Sequence, residues 1–491
     1  MDNKKKNFFM PFGYFGNLWR TIIFLCGFLL LCFLYKLLPS VPPVSPIEKG
    51  LKMDAAADSA YNATPLRPDS PETIDSTCYD LTRFCPTPGD QGDFGTCVAW
   101  SSGYAARTIC EAVDSNWTDT PKITSEAFAP WFVFTNIKDA YDMYCEDGAY
   151  ISDAMELMKT KGIPKKSAYD VECNSAVPPE IFPLGEKYKI DDYFRLFHIY
   201  SYDAVEDSLK IIRCKRALIN NRPIVIGMRC YRSFSYADDV WDGDTSVYRG
   251  GHAMCVVGFC DNKYGGAFLI QNSWGPNWGN GGRTWVRYDD FVRQTKYAYE
   301  IYMKPHYPDS LNHFAGALTL LKKSGEPFAI DQDSTQTVRH YTVTENIETD
   351  MPTTDTLKFH IKLENKEPAY VYLIGGNNNG KQLLFPYDRT ISPALVYRPN
   401  NVVMLPNDDD GFFIESTVKD YYLCLLCSPD PIDINQLGND IDNETGSFKE
   451  KVTKALSTRM VAGYDIQYSK DKINFTSKTR GEILPIFVKL N

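Results

Sequence analysis

The pattern of apolar and polar positions divides the chain into four parts. Residues 21–38 form an apolar run whose only charged residue is Lys36, and a helix of this length is just able to cross a bilayer. Residues 39–75 are rich in Pro, Ala, Ser and Asp and have no sustained period, which predicts a linker. Globular patterning then covers residues 76–304, and a different pattern covers residues 315–491.

The first globular part has the spacing of a mixture of helices and strands. Apolar residues recur at helical spacing from Cys97 onward and again over residues 151–163, where Gly162 and Pro164 end the predicted helix. Residues 222–230 form a β-branched apolar run that is typical of a buried strand.

Two apolar segments in this part predict a β-hairpin. Residues 250–261 and 267–274 flank the turn sequence NKYGG. In an antiparallel hairpin the start of the first strand lies near the end of the second. His252 and Asn272 are therefore predicted at the same end of the hairpin.

The C-terminal part has the period-two pattern of strands. Apolar side chains alternate with polar ones at Leu357, Phe359, Ile361 and Leu363, and further apolar segments surround Asn/Gly turns. We therefore predict a separate β-rich domain over residues 315–491.

Charge sets the predicted orientation of the apolar run. Lys4, Lys5, Lys6 and Arg20 precede it, so the positive-inside rule places residues 1–20 in the cytoplasm and the globular parts on the extracytoplasmic side, periplasmic or at the cell surface. A cleaved signal peptide is the alternative. No small-x-small site directly follows the run, which favours a single-pass membrane anchor.

Net charge and cysteine content narrow the classes of partner and compartment. The formal charge of -10, without a basic stripe, argues against nucleic acid as a partner. Two of the fourteen cysteines lie in the apolar run, and export would allow disulfides among the others. Their connectivity cannot be read from the sequence. No cofactor or metal site is predicted, because Cys424 and Cys427 lack a second ligand pair and are typical of strand cysteines.

The stretch GDQGDFGTCVAW places Cys97 at the predicted start of a helix, where partial positive charge favours a thiolate. His252 is the candidate base, and Asn272 can fix the orientation of its imidazole ring. Gln91 is positioned to direct its amide, together with the backbone N–H of Cys97, at a developing oxyanion. The four residues have the types required for nucleophilic catalysis.

Three stretches of the chain closely resemble the signature blocks of papain-family cysteine peptidases and occur in the family's order: YDLTRFCPTPGDQGDFGTCVAW, GGHAMCVVGF and IQNSWGPNWGNGGRTWVRYDDF. The resemblance covers roughly residues 78–303 and points to a bacterial-type member. It implies an α+β, papain-like fold with a helical lobe and a β-barrel-like lobe. In this chain that fold would follow a transmembrane helix and precede a β-rich, sandwich-like domain.

The same resemblance implies roles for individual residues. Cys97 matches the nucleophile, His252 the base, Asn272 the orienting residue and Gln91 the oxyanion donor. Three further matches line the cleft. Trp274 matches the indole that shields the His–Asn contact, and Trp278 matches the indole on the leaving-group side. Gly148 matches the glycine whose backbone binds extended substrate.

This sequence departs from the family pattern at several positions. Phe94 replaces a cysteine that usually bridges to the position of Cys145, so that disulfide cannot form here. Asp147 replaces the first glycine of the substrate-binding pair. The family's long inhibitory propeptide has no room between the apolar run and the catalytic part, and residues 39–75 lack the apolar content of an independent domain. We therefore expect activity without proteolytic maturation, with restraint from the membrane tether, from narrow specificity at the Asp147 side of the cleft or from the C-terminal domain.

The C-terminal part also resembles a known domain, a bacterial domain of unknown function appended to caspase-like peptidases and kinases. It carries no recognisable chemistry, and its ligand is unknown. The favoured interpretation of the whole chain is a membrane-anchored cysteine peptidase acting on peptide or protein substrates through an acyl-enzyme. The alternatives are an acyltransferase with the same triad and a catalytically inactive papain-like binding protein.

Overall fold

The computed structural model describes most of the chain beyond residue 49. The described ranges are 50–68, 74–174, 176–200, 204–303, 312–322, 324–333, 340–344, 349–351, 354–365, 369–387, 391–395, 401–406, 411–415, 420–461, 465–479 and 483–490. No helix within these ranges is both long enough and apolar enough to span a bilayer. The predicted anchor at residues 21–38 lies outside them.

The first domain, residues 74–303, combines a helical part with an antiparallel sheet, and a preceding segment adds helix α1. The helices are α1 Ala55–Ala63, α2 with its parts Cys97–Ala99, π-helical Trp100–Arg107 and Thr108–Asp114, α3 Thr120–Ser125, α4 Pro130–Ile137, α5 Ile151–Thr160, α6 Phe182–Glu186, α7 Ala204–Ile219 and α8 Tyr288–Gln294. Short 3₁₀ turns cover Thr82–Phe84, Lys166–Ala168, Pro179–Ile181 and Arg232–Tyr236.

Seven strands form the sheet of the first domain. They are β1 Cys78–Asp80, β2 Asp192–Arg195, β3 Ile224–Tyr231, β4 Tyr248–Cys260, β5 Ala267–Gln271, β6 Arg283–Arg287 and β7 Thr295–Tyr302. Their order is β2-β7-β3-β4-β5-β6, and β1 pairs with β4. The predicted hairpin is present as β4 and β5, and the predicted buried strand is β3.

Helix α5 ends where the sequence predicts. Gly162 adopts a left-handed conformation with φ of 70°, and a Cβ there would lie 2.2 Å from the carbonyl oxygen of Gly185. Only glycine fits this position, because an added side chain would be strained and would also collide with backbone.

Two disulfides join parts of the first domain. Cys78 on β1 is bonded to Cys260 on β4, and Cys145 is bonded to Cys173. The family bridge to the position of Phe94 is thus absent, and the Phe94 ring instead packs edge-on against Trp131 at 5.0 Å. The other described cysteines are unbridged and buried.

Residues 50–68, which we call the strap, pack against the first domain. Asp54 caps α1 by accepting from the backbone N–H of Ala57 at 2.9 Å. Tyr61 is fully buried, and its hydroxyl donates to the carbonyl of Phe197 at 2.9 Å. The prediction of a linker is therefore wrong for this stretch. The strap has no core of its own, but its few apolar side chains enter the core of the first domain.

The second domain, residues 312–490, is mostly β-structure, as its period-two pattern predicts. Its strands are β8 Asn312–Leu321, β9 Ile330–Asp333, β10 His340–Val343, β11 Thr349–Met351, β12 Thr354–Asn365, β13 Ala369–Asn377, β14 Gly380–Phe385, β15 Ala394–Leu395, β16 Asn401–Leu405, β17 Phe412–Glu415, β18 Tyr421–Ser428, β19 Asp465–Ser469, β20 Lys472–Thr479 and β21 Leu484–Leu490. The sequence pattern missed its helices, which are α9 Ile434–Asn443, α10 Phe448–Leu456 and a 3₁₀ turn at Ser457–Arg459.

The strands of the second domain form two sheets that enclose an apolar core. One has the order β14-β13-β18-β21-β10-β9 with β15 on β13, and the other has the order β11-β12-β8-β20-β19 with β16 and β17 on β12. Buried side chains from both sheets share one cluster. The arrangement is a sandwich.

The second domain contacts both the first domain and the strap. Phe194 and Tyr302 of the first domain share an apolar cluster with Tyr370, whose ring centroid lies 6.3 Å from that of Tyr302. In the strap, the carbonyl of Leu66 accepts from the backbone N–H of Ser392 at 2.7 Å.

Candidate active site

The candidate nucleophile lies where the start of α2 meets β4. The Sγ atom of Cys97 is 3.4 Å from the backbone nitrogen of Ala253, which donates to it. Ala253 directly follows His252 in β4. Cys97 and His252 are both fully buried.

His252 and Asn272 are joined as the predicted hairpin requires. The His252 Nε2 atom lies 2.8 Å from Asn272 Oδ1. The same oxygen accepts from the backbone N–H of Ser273 at 2.8 Å, which identifies it as the amide oxygen. His252 Nε2 must therefore carry the proton, and Nδ1 holds a lone pair. Among the described residues, Nδ1 has no hydrogen-bond partner.

Two indoles stand beside this pair. The Trp274 ring stacks on the His252 imidazole, with centroids 4.8 Å apart and planes at 25°. Trp278 meets Trp274 edge-on at 5.3 Å, and its Nε1–H donates to the carbonyl of Ser235 at 3.2 Å. Trp274 thus covers one face of the imidazole, as the resemblance implies.

Gln91 is held at the edge of the cleft by Ser273. Its Oε1 accepts from the Ser273 hydroxyl at 2.6 Å, and its backbone N–H donates to the carbonyl of Ser273 at 2.9 Å. The Gln91 Nε2 donates one hydrogen to the carbonyl of Phe94 at 2.7 Å. A second amide hydrogen is left for another acceptor. Sequence reasoning missed Ser273, although its place directly after Asn272 in the QNSW motif is visible in the sequence.

The opposite wall of the cleft contains Gly148, with φ of 73°. Gly95 packs closely on this wall, since a Cβ there would lie 2.6 Å from the carbonyl oxygen of Glu146 and 3.2 Å from the Gly148 nitrogen. The backbone N–H of Asp147 donates to Asp142 Oδ2 at 3.3 Å. The segment Glu146–Gly148 is thus fixed in place.

The strap occupies the cleft. A Cβ on Gly50 would lie 2.6 Å from Cys97 Sγ, so the strap backbone covers the sulfur. Leu51 donates through its backbone N–H to the carbonyl of Gly251 at 3.3 Å. Ala149 donates to the carbonyl of Gly50 at 3.3 Å and accepts from the N–H of Lys52 at 3.1 Å. The sequence indicates no segment able to cover the cleft, yet the strap does so without forming a domain of its own. Its β-type hydrogen bonds go to Ala149, whereas the resemblance points to Gly148.

The side chain of Leu51 fills an apolar pocket between the two walls. A Cβ on Gly227 would lie 2.8 Å from Leu51 Cδ2, 2.7 Å from the Tyr297 ring and 3.4 Å from Ile151 Cδ1. Leu51 is 4% exposed. The small residue at position 227 opens space for an aliphatic side chain.

Burial sets the protonation states in the covered cleft. Burial raises the pKa of the Cys97 thiol to about 12, against the opposing backbone N–H groups of Ala253, Val98 and Cys97 itself. Burial lowers the pKa of His252 to about 4, against the opposing hydrogen bond to Asn272. Neither group is charged near neutral pH, so the covered site holds a thiol and a neutral imidazole. The described residues contain no cluster of His, Cys, Asp or Glu able to hold a metal ion.

Comparison with known proteins relates this domain to peptidases. Residues 135–308 match the papain family cysteine protease profile, which includes His252 and Asn272 but begins after Cys97. An uncharacterized peptidase C1-like protein of Acanthamoeba polyphaga mimivirus is 28% identical over 229 residues, which are 43% of this chain and 69% of the viral protein. Cathepsin B-like CP3 of Giardia intestinalis is 26% identical over 47% of this chain and 73% of its own length.

Among solved structures, xylellain, a cysteine protease from Xylella fastidiosa, aligns with 53% of this chain and 96% of its own chain. The TM-score is 0.41 and the sequence identity is 20%. The family profile and the cathepsin-like relatives identify a papain-family cysteine peptidase domain with a papain-like fold. The matched domain is thus a papain-like cysteine protease domain, and this class of enzyme is a hydrolase.

The depressed pKa of His252 makes the covered state sensitive to acid. Its imidazole is neutral in the folded protein down to about pH 4, whereas an exposed histidine takes up a proton below about pH 6.5. The free energy of unfolding therefore falls by on the order of 3 kcal/mol as the pH is lowered from 6.5 toward 4, because only the unfolded chain takes up the proton in this range. We predict a larger fall in melting temperature between about pH 7 and about pH 4.5 for the wild type than for His252→Gln. Equal falls in the two proteins would contradict this prediction.

Proposed function

We propose that the chain hydrolyses peptide bonds through a triad of Cys97, His252 and Asn272. The observation that carries the proposal is the 2.8 Å contact between His252 Nε2 and Asn272 Oδ1, which leaves Nδ1 as an unpartnered lone pair beside the strand residue that donates to Cys97 Sγ. Two features support this proposal: His252 is held in one tautomer, and the backbone N–H of the residue that follows it donates to a thiol at the start of a helix.

In the proposed reaction, His252 Nδ1 takes the proton of the Cys97 thiol, and the thiolate attacks the carbonyl carbon of the scissile peptide bond. The resulting oxyanion would accept from the second Nε2 hydrogen of Gln91 and from the backbone N–H of Cys97. The imidazolium then gives its proton to the leaving amine, and an acyl-enzyme remains. Water attacks this thioester with His252 as base, which releases the carboxylic acid and restores the thiol.

The pocket filled by Leu51 supports a substrate with an aliphatic side chain at that position. Its walls are apolar, and Gly227 leaves room that any larger residue would take up. The proposed substrate is therefore a peptide or protein segment that lies extended across the cleft and inserts one aliphatic residue there.

We also propose that the strap restrains the peptidase. A substrate carbonyl carbon must approach Cys97 Sγ, and the backbone of Gly50 takes up this space. Displacement of the strap would admit water and substrate. It would also remove the burial that raises the thiol pKa and lowers the imidazole pKa.

The membrane anchor remains part of the proposal. It is supported by the uncharged apolar stretch within residues 21–38 and by the four preceding basic residues. We propose a single-pass protein whose peptidase domain faces the extracytoplasmic side.

The roles of Cys97 and Gln91 are testable in the full chain carrying Leu51→Asp, which is designed to open the cleft. Cys97→Ala should abolish hydrolysis of a fluorogenic peptide and leave the melting temperature close to that of the parent, because the thiol acts in chemistry. Gln91→Ala should lower kcat by about 10²- to 10³-fold through loss of one oxyanion donor. The matched control is Cys110→Ala, a second buried cysteine of the same helix. A turnover rate of Cys97→Ala within tenfold of the control would contradict the proposed role of Cys97 as nucleophile.

The restraint by the strap is measured by the rate at which iodoacetamide alkylates Cys97 in the full chain. Leu51→Asp places a carboxylate in an apolar pocket, so it should raise that rate by about 10- to 100-fold. Ser392→Pro removes the N–H that holds Leu66 and should raise the rate by a smaller factor. Leu184→Asp, at an exposed position, is the matched control. A rate for Leu51→Asp equal to that of the control would show that the strap does not restrain the site.

The anchor is tested by fractionation. The full chain should stay with membranes after an alkaline wash, and protease added to spheroplasts should digest the peptidase domain. Deletion of residues 1–38 should release the protein. A soluble form of the full-length gene product, with a new N-terminus between residues 40 and 60, would mean that the apolar run is a cleaved signal peptide.

A further inference from the structure

A cavity of about 260 Å³ lies in the first domain, where the start of α7, the ends of β3 and α8 and the start of β7 meet. None of the candidate catalytic residues lines it. Its charged lining is mostly cationic, with Lys210, Arg229, Arg293 and Lys296 opposed by Asp207. The volume lies just below the range of drug-sized sites, about 300 to 1,000 Å³, and suits a small ligand.

Lys210 is the first of two unsatisfied groups in this cavity. Lys210 is only 3% exposed, and its ammonium nitrogen lies 5.2 Å from the centroid of the Phe197 ring. It forms no ion pair with any residue that the structure describes. Burial lowers its pKa, against the opposing charges of Asp207 and Glu206. A cation this deeply buried is costly unless an anion meets it.

Thr295 is the second unsatisfied group. It is also 3% exposed, and its hydroxyl oxygen has no hydrogen-bond partner within the described ranges. Buried hydroxyl groups normally have a partner. Water alone would satisfy the hydroxyl, but it would not neutralise the ammonium of Lys210.

The other three cationic side chains of the cavity differ in whether a carboxylate already neutralises their charge. Arg293 donates to Asp290 at 2.7 Å, and Lys296 contacts Asp58 at 2.6 Å. Arg229 is exposed at the rim of the cavity and forms no ion pair with a described residue. Two positive charges, those of Lys210 and Arg229, therefore lack a carboxylate in contact.

We propose that this cavity binds a small dianionic oxyanion of the phosphate class, either free or carried by a small molecule. Lys210 and Arg229 balance its two charges, and the Thr295 hydroxyl donates to one of its oxygens. Such charge-assisted hydrogen bonds are about twice as strong as neutral ones, so the three groups together favour an oxyanion over water.

Occupancy of the cavity also bears on the strap. Lys296 lines the cavity and at the same time holds Asp58 on α1. A bound anion offers Lys296 a second partner and weakens its hold on Asp58, so binding favours release of the strap from Cys97. This coupling rests on the proposed restraint by the strap, whereas the binding itself does not.

The test is calorimetric titration of the full chain with inorganic phosphate and with pyrophosphate, at constant ionic strength set by chloride. Saturable binding is expected. Lys210→Met and Thr295→Val, which preserve size, should each weaken it by about tenfold or more, and Arg229→Gln should act in the same direction. The matched control Lys263→Met removes an exposed lysine outside the cavity and should bind as the wild type does. Absence of saturable binding, or equal affinity in Lys210→Met and the wild type, would overturn the site.

The coupling has its own readout. Pyrophosphate should accelerate alkylation of Cys97 in the wild type and leave the rate in Lys210→Met unchanged. Calorimetric binding without faster alkylation would refute the coupling and leave the site intact. If Leu51→Asp also fails to accelerate alkylation, the restraint itself is what fails, so the two proposals can be told apart.

Discussion

The chemistry of the cleft depends on how closely the start of helix α2 approaches strand β4. The sulfur of Cys97 lies 3.4 Å from the backbone nitrogen of Ala253. Gly95, two residues before Cys97, lets the same segment pack closely on the opposite wall, because a Cβ there would lie 2.6 Å from the carbonyl oxygen of Glu146. The backbone of Gly50 also covers this sulfur, and burial keeps both Cys97 and His252 uncharged. In the proposed mechanism, these residues are therefore already in place in the covered site, and they become charged only when water enters the cleft.

Local patterning predicted the parts of the site that local geometry determines. The hairpin of β4 and β5 follows from two apolar runs and a short Gly-containing turn, and it alone brings His252 to Asn272. The sequence likewise predicts that a helix begins at Cys97, and the structure has a helix beginning there. The partner of Cys145 was not, because a disulfide to Cys173 depends on how distant loops fold together. The link from Ser273 to Gln91 spans 182 residues and has no local signature.

The strap shows why the amino-acid composition of residues 39–75 led to the wrong prediction of a linker. Residues 39–75 contain too few apolar residues to build a core, which excludes an independent domain. A segment can nevertheless fold on a neighbour's surface if two or three of its side chains enter the neighbour's core. Leu51 and Tyr61 do this, and Asp54 adds a helix cap between them. Burial of these side chains depends on the tertiary structure of the neighbouring domain, so the spacing of residues within the segment does not predict it.

The contacts along the strap differ in kind from one end to the other. The ion pair of Arg67 and Glu300 is 8% and 1% exposed, and separating it would leave a buried charge without a partner. The pair of Lys296 and Asp58 is more exposed, at 14% and 23%, and is worth less. At the cleft end the strap is held by three backbone hydrogen bonds, one to Gly251 and two to Ala149, and by the buried side chain of Leu51. In the proposed release, detachment of the cleft end alone is enough to expose Cys97, and the buried pair of Arg67 and Glu300 can stay in contact.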